Sequence, residues 1–248
     1  MPTRYVAKEM KTQAEMDAIM DVIWAANYDP YDPYAQLFFP VLGFTPSARE
    51  VALAEAKSRF WNSHTSTAAS NWYYVQEVTT GEVVGCAQWE IHSENPFKNG
   101  APPMRAPWWP EGEYREFCEE IMRQVYLPRA NWMRRPHMVL NWMAVVPSHR
   151  RRGVASLLIK IGTSRADELG VECWMEASTM GKPVYEHHGF RAFLKMQFDM
   201  ERKDANDVWR KCVHELTPTS VSPMWRPKGG IWELGGESVR LPWESGPE

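Results

Sequence analysis

Four cysteines among 248 residues, Cys86, Cys118, Cys173 and Cys212, are all the sequence offers, and no two form a C-x-x-C pair. This spacing excludes a zinc ribbon and speaks against a disulfide framework. An excess of charge of one sign is also lacking. Twenty-eight Lys+Arg face 31 Asp+Glu, a formal net charge of -3, without the basic surplus of a protein that coats nucleic acid. No apolar run reaches the roughly 18 residues that would mark a membrane span, and Met1–Val6 carries no apolar targeting stretch. A reducing, cytoplasmic setting is expected, with neither nucleic acid nor membrane as partner. Internal repeats and low-complexity tracts are missing too. What remains is ordinary globular composition, 44% hydrophobic and 24% charged, in a length suited to one or two domains. The unusual number is 13 Trp beside 19 Pro.

Two capping boxes are read near the start. Thr12-Gln13-Ala14-Glu15 precedes a helix with the stripe Met16, Ile19, Met20, Ile23 and Trp24, and Ser47-Ala48-Arg49-Glu50 opens a second helix to about Asn62. Asp29-Pro30-Tyr31-Asp32-Pro33 between them reads as a loop, and Arg4–Lys8 as an edge strand. Trp72–Val78 and Val83–Ile91 form a hairpin around Gly81. The segment 92–136 then breaks the pattern as an insertion. It holds seven prolines, the pair Trp108-Trp109, and one amphipathic helix from Tyr114 to Val125.

Regularity returns with a strand over Met138–Val146, a helix over Gly153–Leu169, a strand over Val171–Ala177 and a short helix over Gly181–His188. Phe190–Phe193 and Lys195–Glu201 are expected as the last strands. Pro and Gly fill so much of residues 202–248 that this stretch reads as an irregular tail, pinned to the body by Trp209, Trp225, Trp232 and Trp243. The expected organisation is one domain over 1–201 plus that tail.

Chemistry concentrates where a strand ends, a polar turn follows and a helix begins on small residues: Met143-Ala144-Val145-Val146-Pro147-Ser148-His149-Arg150-Arg151-Arg152-Gly153-Val154-Ala155-Ser156. Free amides at a helix start, with the helix dipole, suit an anion, and Gly153 and Ala155 leave room for a phosphate. Neither G-x-x-x-x-G-K-[ST] nor G-x-G-x-x-G is present, so the P-loop and dinucleotide readings fail. About 25 residues on stands Ala177-Ser178-Thr179-Met180-Gly181-Lys182-Pro183-Val184-Tyr185-Glu186-His187-His188-Gly189-Phe190.

These two blocks, in this order, resemble the GNAT superfamily of acetyl-CoA-dependent N-acetyltransferases. Arg150, Gly153 and Ala155 meet its Q/R-x-x-G-x-G/A signature, and Ala177, Ser178, Gly181, Tyr185, Gly189 and Phe190 meet its later block. The resemblance implies an α/β fold: a mixed twisted sheet with splayed central parallel strands and flanking helices, here with an inserted cap. It also implies acetyl-CoA as co-substrate and no metal. Backbone groups of Met143, Ala144 and Val145 would bind pantetheine, amides of Arg151, Arg152, Gly153, Val154, Ala155 and Ser156 the pyrophosphate, and Arg150 or Arg151 would lend charge. Ser178 is expected near the coenzyme. Tyr185 would protonate the leaving thiolate, a role suited to a phenol.

The general base is where the pattern stops. Histone-acetylating relatives carry Glu where Val139 falls here, and arylalkylamine-acetylating relatives carry His where Val139 and Asn141 fall. Glu90 is the expected base, with His92 and Glu176 as neighbours in contention. His149, His187 and His188 read as exposed turn residues. Trp108, Trp109 and Asn141 are expected to line the site of a small-molecule amine, although Glu113, Glu116, Glu119 and Glu120 could instead draw a polyamine. The rival functions are a peptide or protein N-acetyltransferase and a CoA-binding module without chemistry; monomer and homodimer stay open.

Overall fold

A computed structural model describes residues 4–28, 32–234 and 237–244. Asp29, Pro30 and Tyr31 of the expected proline loop and the first three residues lie outside them. Thr12 and Glu15 cap one another as expected, the hydroxyl accepting the Glu15 amide at 3.3 Å and the carboxylate accepting the Thr12 amide at 2.9 Å. The helix they open, α1 (Gln13–Asn27), buries Met16, Ile19, Met20 and Ile23. After a short α2 (Pro33–Phe38) comes α3 (Pro46–Ser66), whose cap is Thr45 rather than Ser47. Pro46 explains the difference. Its fixed φ and missing N–H suit the first helical position, so the cap is the residue before it, two ahead of Ser47.

The sheet runs β1 (Tyr5–Glu9), β2 (Ser70–Glu77), β3 (Val83–His92), β4 (His137–Val145), β5 (Glu172–Ser178), β7 (Val221–Arg226), β6 (Arg191–Ala192). Among the described residues only β4 and β5 pair in parallel. Between β3 and β4 stand α4 (Glu113–Tyr126) and α5 (Arg129–Trp132); α6 (Val154–Leu169) joins β4 to β5, and α7 (Lys182–His187) joins β5 to β6. The mixed α/β architecture expected from the sequence is the one found.

Alternation along β3 sorts the two faces. Cys86 meets the Ile19 carbonyl of α1, while Trp89 lies beneath α6, its indole donating to the Leu158 carbonyl at 3.3 Å. Residues 88, 90 and 92 therefore share the face of α1. On the other face Gly162 of α6 rests on Trp89: a β-carbon there would stand 2.0 Å from the indole. Two effects of Gly162→Ala oppose each other. Alanine favours a helix by about 1 kcal/mol over glycine, but overpacking a close-set core costs about 1–3 kcal/mol or more, and 2.0 Å is an overlap neither ring nor helix can absorb in place. The variant is expected to melt several degrees lower in a thermal scan; a rise in Tm would show that α6 moves off β3 without cost.

The described residues after 201 correct the reading of 202–248 as irregular. They are not irregular: α8 (Asp207–Leu216) packs Trp209 edge-on against Phe117 of α4, and β7 inserts between β5 and β6. Pro223 in the middle of β7 hides the strand, since proline is normally excluded from paired strands. Its carbonyl accepts the Phe193 amide at 3.3 Å, so its nitrogen faces the same side, beyond the end of β6, and the ladder to β5 loses no bond. Lys195–Glu201, expected as a strand, contributes only the bridge Met196↔Val221. The tryptophans do anchor this part: Trp225 is buried, the Trp232 indole donates to the Gly189 carbonyl at 2.8 Å, and Trp243 packs on Phe193. A small hairpin, β8 (Glu233–Leu234) and β9 (Glu237–Ser238), follows β7 in the chain.

Candidate active site

β4 and β5 pair from His137↔Glu172 to Leu140↔Met175 and no further. Beyond that point β4 continues to Val145 on its β3 side alone, and β5 to Ser178 on its β7 side alone, so the parallel strands part as a V. At Asn141 the ladder to β3 slips: Gln88 faces Trp142 and Trp89 faces Leu140. Asn141 is the extra residue of a β-bulge, a device that redirects a side chain next to a site.

The open end of the V carries the turn read as an anion site. Arg151 has φ 61 and Gly153 φ 85, and no side chain caps α6. The first bond into this helix is Leu157 amide to Gly153 carbonyl, so the amides of residues 151–156 meet no backbone acceptor among the described residues. Val154 uses its side chain differently, buried against Gly85, where a β-carbon would stand 2.6 Å from Cγ1. Arg150 departs from expectation. Its guanidinium donates to the carbonyls of Val145 at 3.1 Å and Ala26 at 2.7 Å, tying the end of β4 to α1 rather than facing the turn. Arg151 and Arg152 are exposed. His149, expected on the surface, is buried, and its Nδ1 meets the Tyr5 hydroxyl at 3.0 Å.

Past the apex of the V, on the α1 face, lies a cavity of about 470 Å³. The β3 and β4 side chains of Gln88, Glu90, His92, His137, Val139, Asn141 and Trp142 form its floor; Phe38, Arg59 and Phe60 form one wall. The segment after β3 covers it with Phe97, Pro102, Met104, Trp108, Tyr126 and Arg129. Trp108 and Trp109 both donate to the Leu37 carbonyl at 2.8 Å, yet only Trp108 reaches the cavity. Trp109 is 5% exposed and stacks on Tyr114 outside that cavity, which corrects its assignment as a substrate-lining residue. The four acidic residues of α4 do not enter the cavity either. Glu113 and Glu116 bind Arg202, Glu119 accepts the Ala106 amide, and Glu120 binds Arg123 and Gln124.

Glu90 stands opposite Val139 in the ladder, so its carboxylate lies beside β4. Burial pushes this carboxyl up, but the His92 contact, the charges of His92 and Arg129, and Asn141 outweigh that, and the net shift is downward. An ionised carboxylate only accepts, so the 3.3 Å contact to His92 has Nε2–H donating to Glu90 and leaves Nδ1 with the lone pair in the neutral ring. His137, whose ring lies 4.9 Å from that of His92, donates Nδ1–H to the Arg135 carbonyl at 2.7 Å. Burial depresses its pKa to about 4.

Glu176, the other carboxylate in contention, is taken: Arg129 binds it with Nε at 2.9 Å and with a second, shorter contact, and donates Nη1 to Asn141 at 3.0 Å. Tyr185, in α7, is 8% exposed, and its hydroxyl has no hydrogen-bond partner among the described residues. Burial pushes its phenol well up. Gly181 lets the ring lie close, since a β-carbon there would stand 3.0 Å from Cε2. The Ser178 hydroxyl accepts the Gly181 amide at 3.1 Å, shaping the turn into α7. Sequence reading missed Arg129, Tyr126, His137 and Trp142, which stand in unrelated patterns and meet only through the sheet register and the inserted segment.

A sheet with one parallel pair that parts beside a helix start is the GNAT fold. Residues 117–192 match the family model described as acetyltransferase (GNAT) domain. No curated protein matches the chain. Among solved structures it is similar to an agmatine N-acetyltransferase (11% identity, TM-score 0.58, 90% of this chain and 99% of that one). It is also similar to a polyamine N-acetyltransferase of Drosophila melanogaster (13%, 0.57, 89% and 98%). A third likeness is a structure described as histone acetyltransferase HPA2 and related acetyltransferase, from Corynebacterium glutamicum (21%, 0.55, 91% and 97%). At these identities the likeness is one of fold.

Proposed function

We propose that the chain transfers the acetyl group of acetyl-CoA to the primary amine of a small molecule, by direct attack in a ternary complex. The observation that carries this reading is the single unpaired edge of β4, residues 141–145, which runs from the turn with free amides to the covered cavity. Amides of residues 151–156 hold the pyrophosphate, with charge from Arg151 and Arg152, and backbone groups along Met143–Val145 hold pantetheine in the V. The amine enters from the cavity, where Glu90 and His92 receive its proton, and Tyr185 protonates the departing thiolate. None of the cysteines enters this scheme; all four are buried.

A cavity covered by the inserted segment favours a small acceptor over a peptide, which needs a groove open at both ends. Phe38, Phe60, Trp108 and Trp142 are among the residues that line the cavity, and Glu90 is a carboxylate there to which no arginine is bonded among the described residues. One ammonium on an aromatic or apolar body suits this lining better than a polyamine. The unpartnered Tyr185 hydroxyl and the Glu90–His92 pair support chemistry over a silent CoA-binding module.

A ligand at 100 times its Kd stabilises the folded state by about 2.7 kcal/mol, about 5–10 °C for a chain of this size. Acetyl-CoA is expected to raise Tm by that amount. Gly153→Glu should abolish the shift: it brings a negative charge to the helix start, at a φ of 85 that a side chain strains. Equal shifts in both proteins would remove the turn from the coenzyme site.

A further inference from the structure

We infer that Arg129, held between Glu176 and Asn141, sets the length of acyl group the V admits and confines it to acetyl. The inference rests on the proposed reading that the thioester lies in the V, and adds what closes its apex. Because the β4–β5 ladder ends at Leu140↔Met175, Asn141 and Glu176 are the first residues on either side of the opening. The Arg129 guanidinium binds both, crossing the gap: Nη1 to Asn141 at 3.0 Å, Nε to Glu176 at 2.9 Å, and Nη2 to the second carboxylate oxygen. The fork-on-fork geometry fixes its plane as well as its position. Its other support is the Tyr126 ring, 4.6 Å from the guanidinium carbon, whose hydroxyl meets that of Tyr34 at 2.6 Å.

The ion pair is almost wholly withdrawn from water, with side-chain exposures of 12% and 6%. The apex is thus roofed by an ordered polar assembly and not by aliphatic side chains that could change rotamer. An acyl chain advancing toward the cavity meets this roof. Moving it would separate a buried pair and leave each charge uncompensated, which is strongly unfavourable. Acetyl stops short of the obstacle, whereas each added methylene presses on it.

The test compares binding of CoA, acetyl-CoA and butyryl-CoA by calorimetry, which needs no knowledge of the acceptor. A methylene that a pocket cannot accommodate is worth about 10–200-fold. Wild type is expected to bind butyryl-CoA at least about 10-fold more weakly than acetyl-CoA. Arg129→Ala/Glu176→Gln, which removes both charges together and leaves neither unpaired, is expected to lose most of that discrimination while binding CoA as before. Arg129→Lys keeps the charge but not the fork, and should narrow the ratio even if the double variant does not fold. Equal affinities for the two thioesters in wild type, or a ratio unchanged in a folded variant, would overturn the inference and leave the proposed function standing. Wild type that binds no CoA at all would overturn both.

Discussion

Tyr185→Phe is expected to lower kcat by about 10²–10⁴-fold, the usual worth of one positioned acid, while acetyl-CoA affinity stays nearly unchanged. The substitution removes one oxygen from a ring that otherwise keeps its edge-on contact with Phe190, 6.3 Å between centroids. Burial holds the phenol protonated, as a donor must be. Single-turnover measurements establish that chemistry limits the rate. An unchanged kcat under those conditions would mean that solvent or another group protonates the thiolate.

Glu90→Gln is expected to reduce kcat/KM by a similar factor, about 10²–10⁴-fold, without disturbing coenzyme binding. Glutamine can fill the site and still meet His92, but it offers no charge to an ammonium or an imidazolium. If the two residues act as a unit, His92→Asn alone should cost about as much, and the double variant little more than either, because units of this kind are strongly non-additive. Additive losses would separate their roles. The direction of the pH dependence follows from the lowered Glu90 pKa. Its charge survives below the ordinary carboxyl range and is lost only as pH falls through that depressed value. A decline in wild-type rate well above pH 5 therefore does not come from Glu90, and the same limb should persist in the residual activity of Glu90→Gln. Disappearance of that limb in the variant would assign it to Glu90 after all.

How much of this was legible in the sequence differs by element. Helices with an apolar stripe, such as α1 and α4, could be read because the pattern repeats within a few residues, and in α1 a capping box adjoins it. The turn from Arg150 to Ser156 could be read for the same reason: strand end, glycine and helix start are consecutive, and the second block around Tyr185 supplied the family resemblance. β7 could not be read, because a proline in a paired strand is permitted only by where its neighbour β6 ends, and no local pattern carries that.

The division runs the same way through the candidate site. Residue type and local spacing determined a helix start that suits an anion and a phenol able to donate a proton. Tertiary structure alone decided which face Glu90 takes, that it stands across from Val139, and that Trp108 but not Trp109 reaches the cavity. It also turned Arg150 onto two carbonyls and brought Arg129 across the apex to Glu176, 47 residues away in the chain. Local chemistry is fixed by neighbours in sequence, whereas side-chain partners across strands depend on register. A single bulge at Asn141 shifts that register, and bulges are set by the packing of the whole sheet.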